Sequence, residues 1–119
     1  MKTIIHETAI VDKTSFIGKN CIINAGCKIG AYCNIYDNVL IQKNVIIGNN
    51  VLIGDSSDKS AIEGTVIGNN VTIGNNVTIK SNCKIQQNIT IGNDCFVDIN
   101  FVVSANIPNG ETIELPKTW

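Results

Sequence analysis

The sequence predicts an all-β chain wound as a parallel β-helix of about six triangular coils, and three observations predict it. Aliphatic residues recur every six positions: Ile5, Val11, Ile17, Ile23, Ile29, Ile35, Ile41, Ile47 and Ile53, then Ile67, Ile73, Ile79, Ile85, Ile91, Val97 and Val103. A second, smaller inward series follows each of these four residues later, as in Cys21, Cys27, Cys33, Val39, Val45 and Val51. One residue before that series stands Asn, Asp or Gly in 13 of 17 hexads, the types that tolerate a left-handed backbone. An amphipathic helix needs spacings of three and four, and a hairpin sheet needs longer alternation, so neither fits.

Each hexad is therefore a very short strand followed by a turn. Three hexads close one coil, each sending an aliphatic residue to the axis, and at a strand spacing of ~4.8 Å six coils make a rod somewhat under ~30 Å long. If Ala61 opens the hexad after Ile53, the chain holds 17 hexads and one two-residue insertion within Asp55 to Ser60. The repeats run from about 4 to 108, with a short tail over 109–119, as a single domain.

All five cysteines, Cys21, Cys27, Cys33, Cys83 and Cys95, fall in the small inward column, which reads as buried small hydrophobes and not as disulfides or metal ligands. The Asn-x-Thr triplets at Asn70, Asn76 and Asn88 are by-products of the repeat.

Composition narrows the partners. The net charge is -1, and all nine basic residues are Lys, so the bidentate Arg reader of phosphate and guanine is missing and nucleic acid is excluded. No apolar run reaches the 18 residues of a membrane span, and charge interrupts the N-terminus before a signal core forms, so a cytoplasmic protein without membrane contact is expected.

Stacking every third hexad sorts the outward residues. Those following the axial positions give two mostly glycine columns and one polar ladder: His6, Asn24, Gln42, Ile62, Lys80 and Asp98. The insertion, with Asp55 and Asp58, borders that ladder, so a ligand site is expected there. Those preceding the axial positions are apolar on two sides, Ile4, Ile22, Leu40 and Phe96 on one, Ile10, Ile46, Val66 and Val102 on the next. Contiguous exposed apolar columns mark an interface, and a domain this small gains burial by self-association.

Segments such as Ile47-Gly48-Asn49-Asn50-Val51 and Ile73-Gly74-Asn75-Asn76-Val77 resemble the hexapeptide-repeat acyltransferase superfamily over about residues 4 to 110. The resemblance implies a left-handed parallel β-helix, a homotrimer of parallel rods, and a ligand groove between neighbouring rods. His6, in Ile5-His6-Glu7-Thr8-Ala9-Ile10, is similar to the opening turn of many members and reads as a cap. The chain departs from the histidine-dependent branches. Gly30-Ala31-Tyr32 stands where the sialic-acid and bacillosamine branch has Asp-His-Asp, and Asn24 stands near the serine acetyltransferase histidine. Leu40 to Asn50 is closer to the nucleotide-amino-sugar N-acetyltransferases. The end of the chain, with Glu114-Leu115-Pro116-Lys117 in place of the family's Gly-x-Pro turn, departs again, and no substrate domain is expected before the rod.

On this resemblance acetyl-CoA is the acyl donor and the acceptor is an amino sugar, a nucleotide-sugar or a similar small molecule. Asn24 is the candidate catalytic residue, orienting the thioester carbonyl; Gln42, Asp55, Asp58 and Asp98 are candidates for the acceptor, and Lys80 and Lys84 for the CoA phosphates; no metal is expected. A second reading stays open, a non-catalytic structural or assembly β-helix or a pseudoenzyme, because no interior histidine can act as base.

Overall fold

A computed structural model of the protein describes residues 2–55 and 64–114, for Asp55 the backbone only. It is an all-β, left-handed parallel β-helix of six coils. Sheet 1 stacks Ile4–Ile5, Ile22–Ile23, Leu40–Ile41, Val66–Ile67, Lys84–Ile85 and Val102–Val103. Sheet 2 stacks Ile10–Val11, Lys28–Ile29, Ile46–Ile47, Thr72–Ile73 and Thr90–Ile91, and a bridge from Ile91 to Ile107 continues it. Sheet 3 stacks Phe16–Ile17, Asn34–Ile35, Leu52–Asp55, Thr78–Lys80, Phe96–Val97 and Thr112–Ile113.

Strands this short hold because axial burial and backbone ladders repeat in every coil. The axial residues from Ile23 to Val97 and the inward Cys and Val residues are almost wholly buried. Backbone N–H groups donate along the rod to the coil below, as from Ile22 to the Val39 carbonyl at 3.0 Å. The turns take the expected left-handed conformation at Asn20, Gly26, Asn38, Asn44, Asn50, Asn70, Asn76, Asn82, Asn88, Asp94 and Asn100.

The Gly-Asn pairs of the repeat have a packing cause. The Asn49 N–H donates to Asn75 Oδ1 at 2.8 Å, Asn75 to Asn93 Oδ1 at 2.8 Å, and Asn93 to Asn109 Oδ1 at 2.7 Å. Gly48, Gly74 and Gly92 lie against these same amide oxygens, where any Cβ would collide.

The thiols do more than fill space. All five are free and buried, and each donates to a carbonyl at the same corner one coil on, as Cys27 Sγ does to Gln42 at 2.9 Å and Cys83 Sγ to Asp98 at 3.0 Å. Thr65 Oγ1 makes the equivalent bond to the Lys80 carbonyl at 3.1 Å. A Cys, Ser or Thr here satisfies a corner carbonyl that Val leaves to the backbone alone.

Two expectations are corrected. The hexad expected at Ala61 lies outside the described residues, and the next described strand after Ile53 is Val66–Ile67, which lies on Leu40–Ile41: coils that repeat at 18 residues over most of the rod, and at 16 in its last coil, are 26 apart here, eight residues over the repeat and not two. The rod also runs past residue 108, because Thr112–Ile113 pairs with Phe96–Val97.

Candidate functional site

Two residues against eight differ by one hexad, which is one side of the triangle, so every outward residue after the insertion shifts by a face. The expected polar ladder is therefore two half-ladders. His6, Asn24 and Gln42 follow sheet 1, with Gly68, Gln86 and Ser104 below them. Lys80 and Asp98 follow sheet 3, in one column with Gly18, Tyr36 and Gly54. Lys80 pairs through its backbone with Asp55, across a bulge where Gly54 takes φ +87°.

The same shift unites what the sequence had separated. Sheet 1 presents Ile4, Ile22, Leu40, Val66, Lys84 and Val102 outward, five of them apolar, and the ends of this strip are 59% and 57% exposed. Phe96 belongs to sheet 3, not to this strip. Of the six residues, only Lys84 is charged, and its Nζ donates to the Gly64 carbonyl at 3.3 Å. Sequence reasoning missed this continuity; keeping the apolar outward column in phase across the insertion is the signal that finds it.

One edge of the strip carries Asn24 and Gln42, and the opposite edge, where sheet 3 turns into sheet 1, carries Lys80 and Asp98. Asn24 is half-buried, and its Nδ2 donates to the Ile41 carbonyl at 2.9 Å, which fixes the amide and leaves its Oδ1 outside that bond. Gln42 is half-buried one coil below. Asp98 Oδ1 accepts the Ile99 N–H at 2.8 Å. Lys80 and Lys84 are half-buried on adjacent faces. Asp58 and the side chain of Asp55 lie outside the described residues. His6 is exposed, bonded to its own turn through Nδ1 and Thr8 Oγ1 at 2.9 Å.

The break in the stack leaves a trace beside Lys80. Along the turns Asn20 Nδ2 donates to Asn38 Oδ1 at 3.2 Å and Asn70 Nδ2 to Asn88 Oδ1 at 3.3 Å. Above Asn82 stands Gly64, which has no amide to offer, and the buried Asn82 Oδ1 and Ser81 Oγ have no hydrogen-bond partner among the described residues. An apolar recess of about 220 Å³, lined by residues including Val103, Ile107 and Ile113, lies at the C-terminal end of the rod, away from these groups. Among the described residues no group of three or more His, Cys, Asp or Glu could hold a metal ion, and no helix is long and apolar enough to cross a membrane.

Six hexapeptide coils with this stacking form a fold shared with solved hexapeptide-repeat acetyltransferases. The profile of one family, described as the GMPPB C-terminal domain, matches residues 1–105, and the chain belongs to that family. Among solved structures, a mutant of perosamine N-acetyltransferase from Caulobacter crescentus, in complex with CoA and GDP-perosamine, is 20% identical, with 94% of this chain and 52% of that chain covered and a TM-score of 0.58. A hexapeptide-repeat containing acetyltransferase from Vibrio cholerae is 22% identical over 92% of this chain and 64% of that one, with a TM-score of 0.62. The acetyltransferase domain of PglB from Neisseria gonorrhoeae, in complex with acetyl coenzyme A, is 22% identical over 92% and 53%, with a TM-score of 0.53. At these identities the likeness is one of fold, and the chain spans about half the length of the perosamine enzyme. No curated protein sequence matches the chain.

Proposed function

We propose that the protein is an acetyl-CoA-dependent acetyltransferase acting on an amino sugar, a nucleotide-sugar or a similar small acceptor in the cytoplasm, as a homotrimer with its site in the groove between rods. The observation that carries this reading is the apolar strip of sheet 1 with Asn24 and Gln42 on one edge and Lys80 and Asp98 on the other. When three rods turn this strip toward a common axis, the contact is heterologous, and one edge of each rod meets the opposite edge of its neighbour. The two half-ladders then form one site.

In that groove Asn24 orients the thioester carbonyl, Gln42, Asp55, Asp58 and Asp98 hold the acceptor, and Lys80 and Lys84 meet the CoA phosphates. The neutral acceptor amine adds to the carbonyl carbon, the new C–N bond forms, the C–S bond breaks, and CoA leaves as thiolate while the amine loses its proton to solvent. No histidine is needed where the amine is already neutral, because positioning is worth up to about 7–11 kcal/mol and oriented donors stabilise the oxyanion. The acetyl-transfer assay is thiol release from acetyl-CoA with amino-sugar acceptors, run on material whose mass by light scattering is that of a trimer. A monomeric protein would remove the shared site.

A second reading, a non-catalytic assembly protein or pseudoenzyme, is favoured by one bond. Asn24 Nδ2 is committed to the Ile41 carbonyl, as a structural staple would be. Thermal denaturation with CoA separates the two, since a ligand at 100 times its Kd adds about 2.7 kcal/mol of stability. No shift at millimolar CoA favours the structural reading.

A further inference from the structure

The turns of the rod obey one rule with one exception. Among the described residues, the left-handed turn positions hold Asn, Asp or Gly, except at Tyr32, where φ is 58°. A bulky side chain is disfavoured in that conformation, and such a backbone outlier asks for a reason outside local folding. Burial does not supply it, since Tyr32 is 65% exposed. Its N–H is held by Thr14 Oγ1 at 2.9 Å, and Thr14 is itself anchored to Asp12, so the unusual turn is braced from the coil above.

Tyr32 stands in the turn that leads into the strand Asn34–Ile35 of sheet 3 on the second coil, Tyr36 directly follows that strand, and Asn34 lies between them, opposite in side to the axial Ile35. Phe16 lies above Asn34 in parallel register and is 58% exposed, and Leu52 lies below it. Gly54, beneath Tyr36, has no side chain to crowd that ring. Three of the five described aromatic residues thus frame one amide, and the Asn34 side chain makes no hydrogen bond among the described residues. Phe16 and Tyr32 are exposed and Asn34 and Tyr36 half-buried, and the charges in the bordering turns offset one another, Asp12 with Lys13 at one edge and Asp37 with Lys19 at the other.

We infer that sheet 3 carries a docking platform for a neutral oligosaccharide, in which Tyr32, Tyr36 and Phe16 stack on the apolar faces of pyranose rings and Asn34 hydrogen-bonds their hydroxyls. Aromatic rings with one free amide between them suit a ligand that alternates C–H faces with hydroxyl edges. The balanced charge disfavours a phosphorylated ligand. This platform lies on a different face from the strip of sheet 1, and it stands or falls independently of acetyl transfer.

The test is titration of the ¹⁵N-labelled protein, without CoA, with cellohexaose, maltohexaose and chitohexaose at millimolar concentration, and with uridine monophosphate as an anionic aromatic control. At least one hexasaccharide is expected to shift the amide signals of Tyr32, Asn34 and Tyr36 and to leave Asn75 and Asn93 unmoved. Tyr32→Asn, which restores the preferred turn residue, is expected to raise the melting temperature by about 3 °C while weakening binding about tenfold. Asn34→Ala is expected to weaken binding with the melting temperature unchanged. Absence of any hexasaccharide response, a response to the nucleotide alone, or equal binding by Tyr32→Asn would overturn the inference.

Discussion

Ile67 lies in parallel register on Ile41, 26 residues earlier, in a rod whose neighbouring coils otherwise repeat at 18, or at 16 in the last coil. That pairing decides which outward residues share a face, and it brings Val66 and Val102 under Ile4, Ile22 and Leu40. Charges introduced there act on assembly and not on the coil. If the protein assembles as the proposed trimer, Ile22→Lys combined with Val102→Lys is expected to convert it to monomer in sedimentation velocity, with the circular dichroism spectrum retained. A double variant that stays trimeric would move the interface to another face.

The axial column answers to packing. Ile73 is almost fully buried, and Ile73→Ala is expected to cost about 2–5 kcal/mol in urea unfolding through lost burial and an unfilled cavity. Ile73→Asp, which places a carboxylate on the axis without a partner, is expected to abolish folding.

The Gly-Asn pairs predict a reciprocal pair of variants. Gly48→Ala drives a methyl into the Asn75 amide oxygen, while Asn75→Ala leaves the Asn49 N–H without its acceptor. Gly48→Ala is expected to destabilise by about 1–3 kcal/mol, and Asn75→Ala by about 1 kcal/mol. The double variant is expected to lose less than the sum, because removing the amide relieves the closest contact of the new methyl and leaves only those with the Gly74 backbone. Strict additivity in chemical denaturation would contradict this contact.

Much of this was legible in the sequence, and the limits have physical causes. The six-residue period and the Asn-rich turns reflect a local demand, an inward aliphatic and a left-handed residue per side, so they show in the residues themselves. The length of the insertion does not. Ala61 and Thr65 sit where an axial residue and a small inward residue would belong, so the hexad continues on paper through Ala61, and only pairing between strands reveals the slip of one side. Ile107 misleads in the same way: four residues after Val103 it looks like a small inward position, yet it bridges to Ile91 as an axial one. The thiol bonds were hidden because their partners lie 13 to 15 residues on, as for Cys95 and Pro108 or Cys21 and Tyr36. One chain read alone does not show the proposed site, because in the proposed trimer the Asn24 edge and the Lys80 edge come from different chains.

Buried thiols give the rod a pH dependence of definite sign. Burial raises the pKa of Cys21, Cys27 and Cys83 above the ordinary thiol value. The folded state therefore keeps protons that the unfolded state sheds, so their contribution is fully present below the unfolded thiol pKa and is lost as pH climbs from there through the raised folded value. The urea midpoint is expected to fall between pH 7 and pH 10, and to fall less in Cys21→Val/Cys27→Val/Cys83→Val. Equal pH dependence in the two proteins would assign the effect to other groups.

The shared groove is tested most directly by mixing two inactive proteins. Asn24→Ala and Lys80→Ala each spoil every site in their own trimer, but a mixed trimer rebuilds a site wherever an intact Asn24 edge meets an intact Lys80 edge. Co-refolded in equal amounts, the pair is expected to recover about a quarter of the wild-type acetyl-transfer rate, the statistical share of intact junctions in a cyclic ring. Mixed trimers of the correct mass with no more activity than the parents would contradict a site shared between rods.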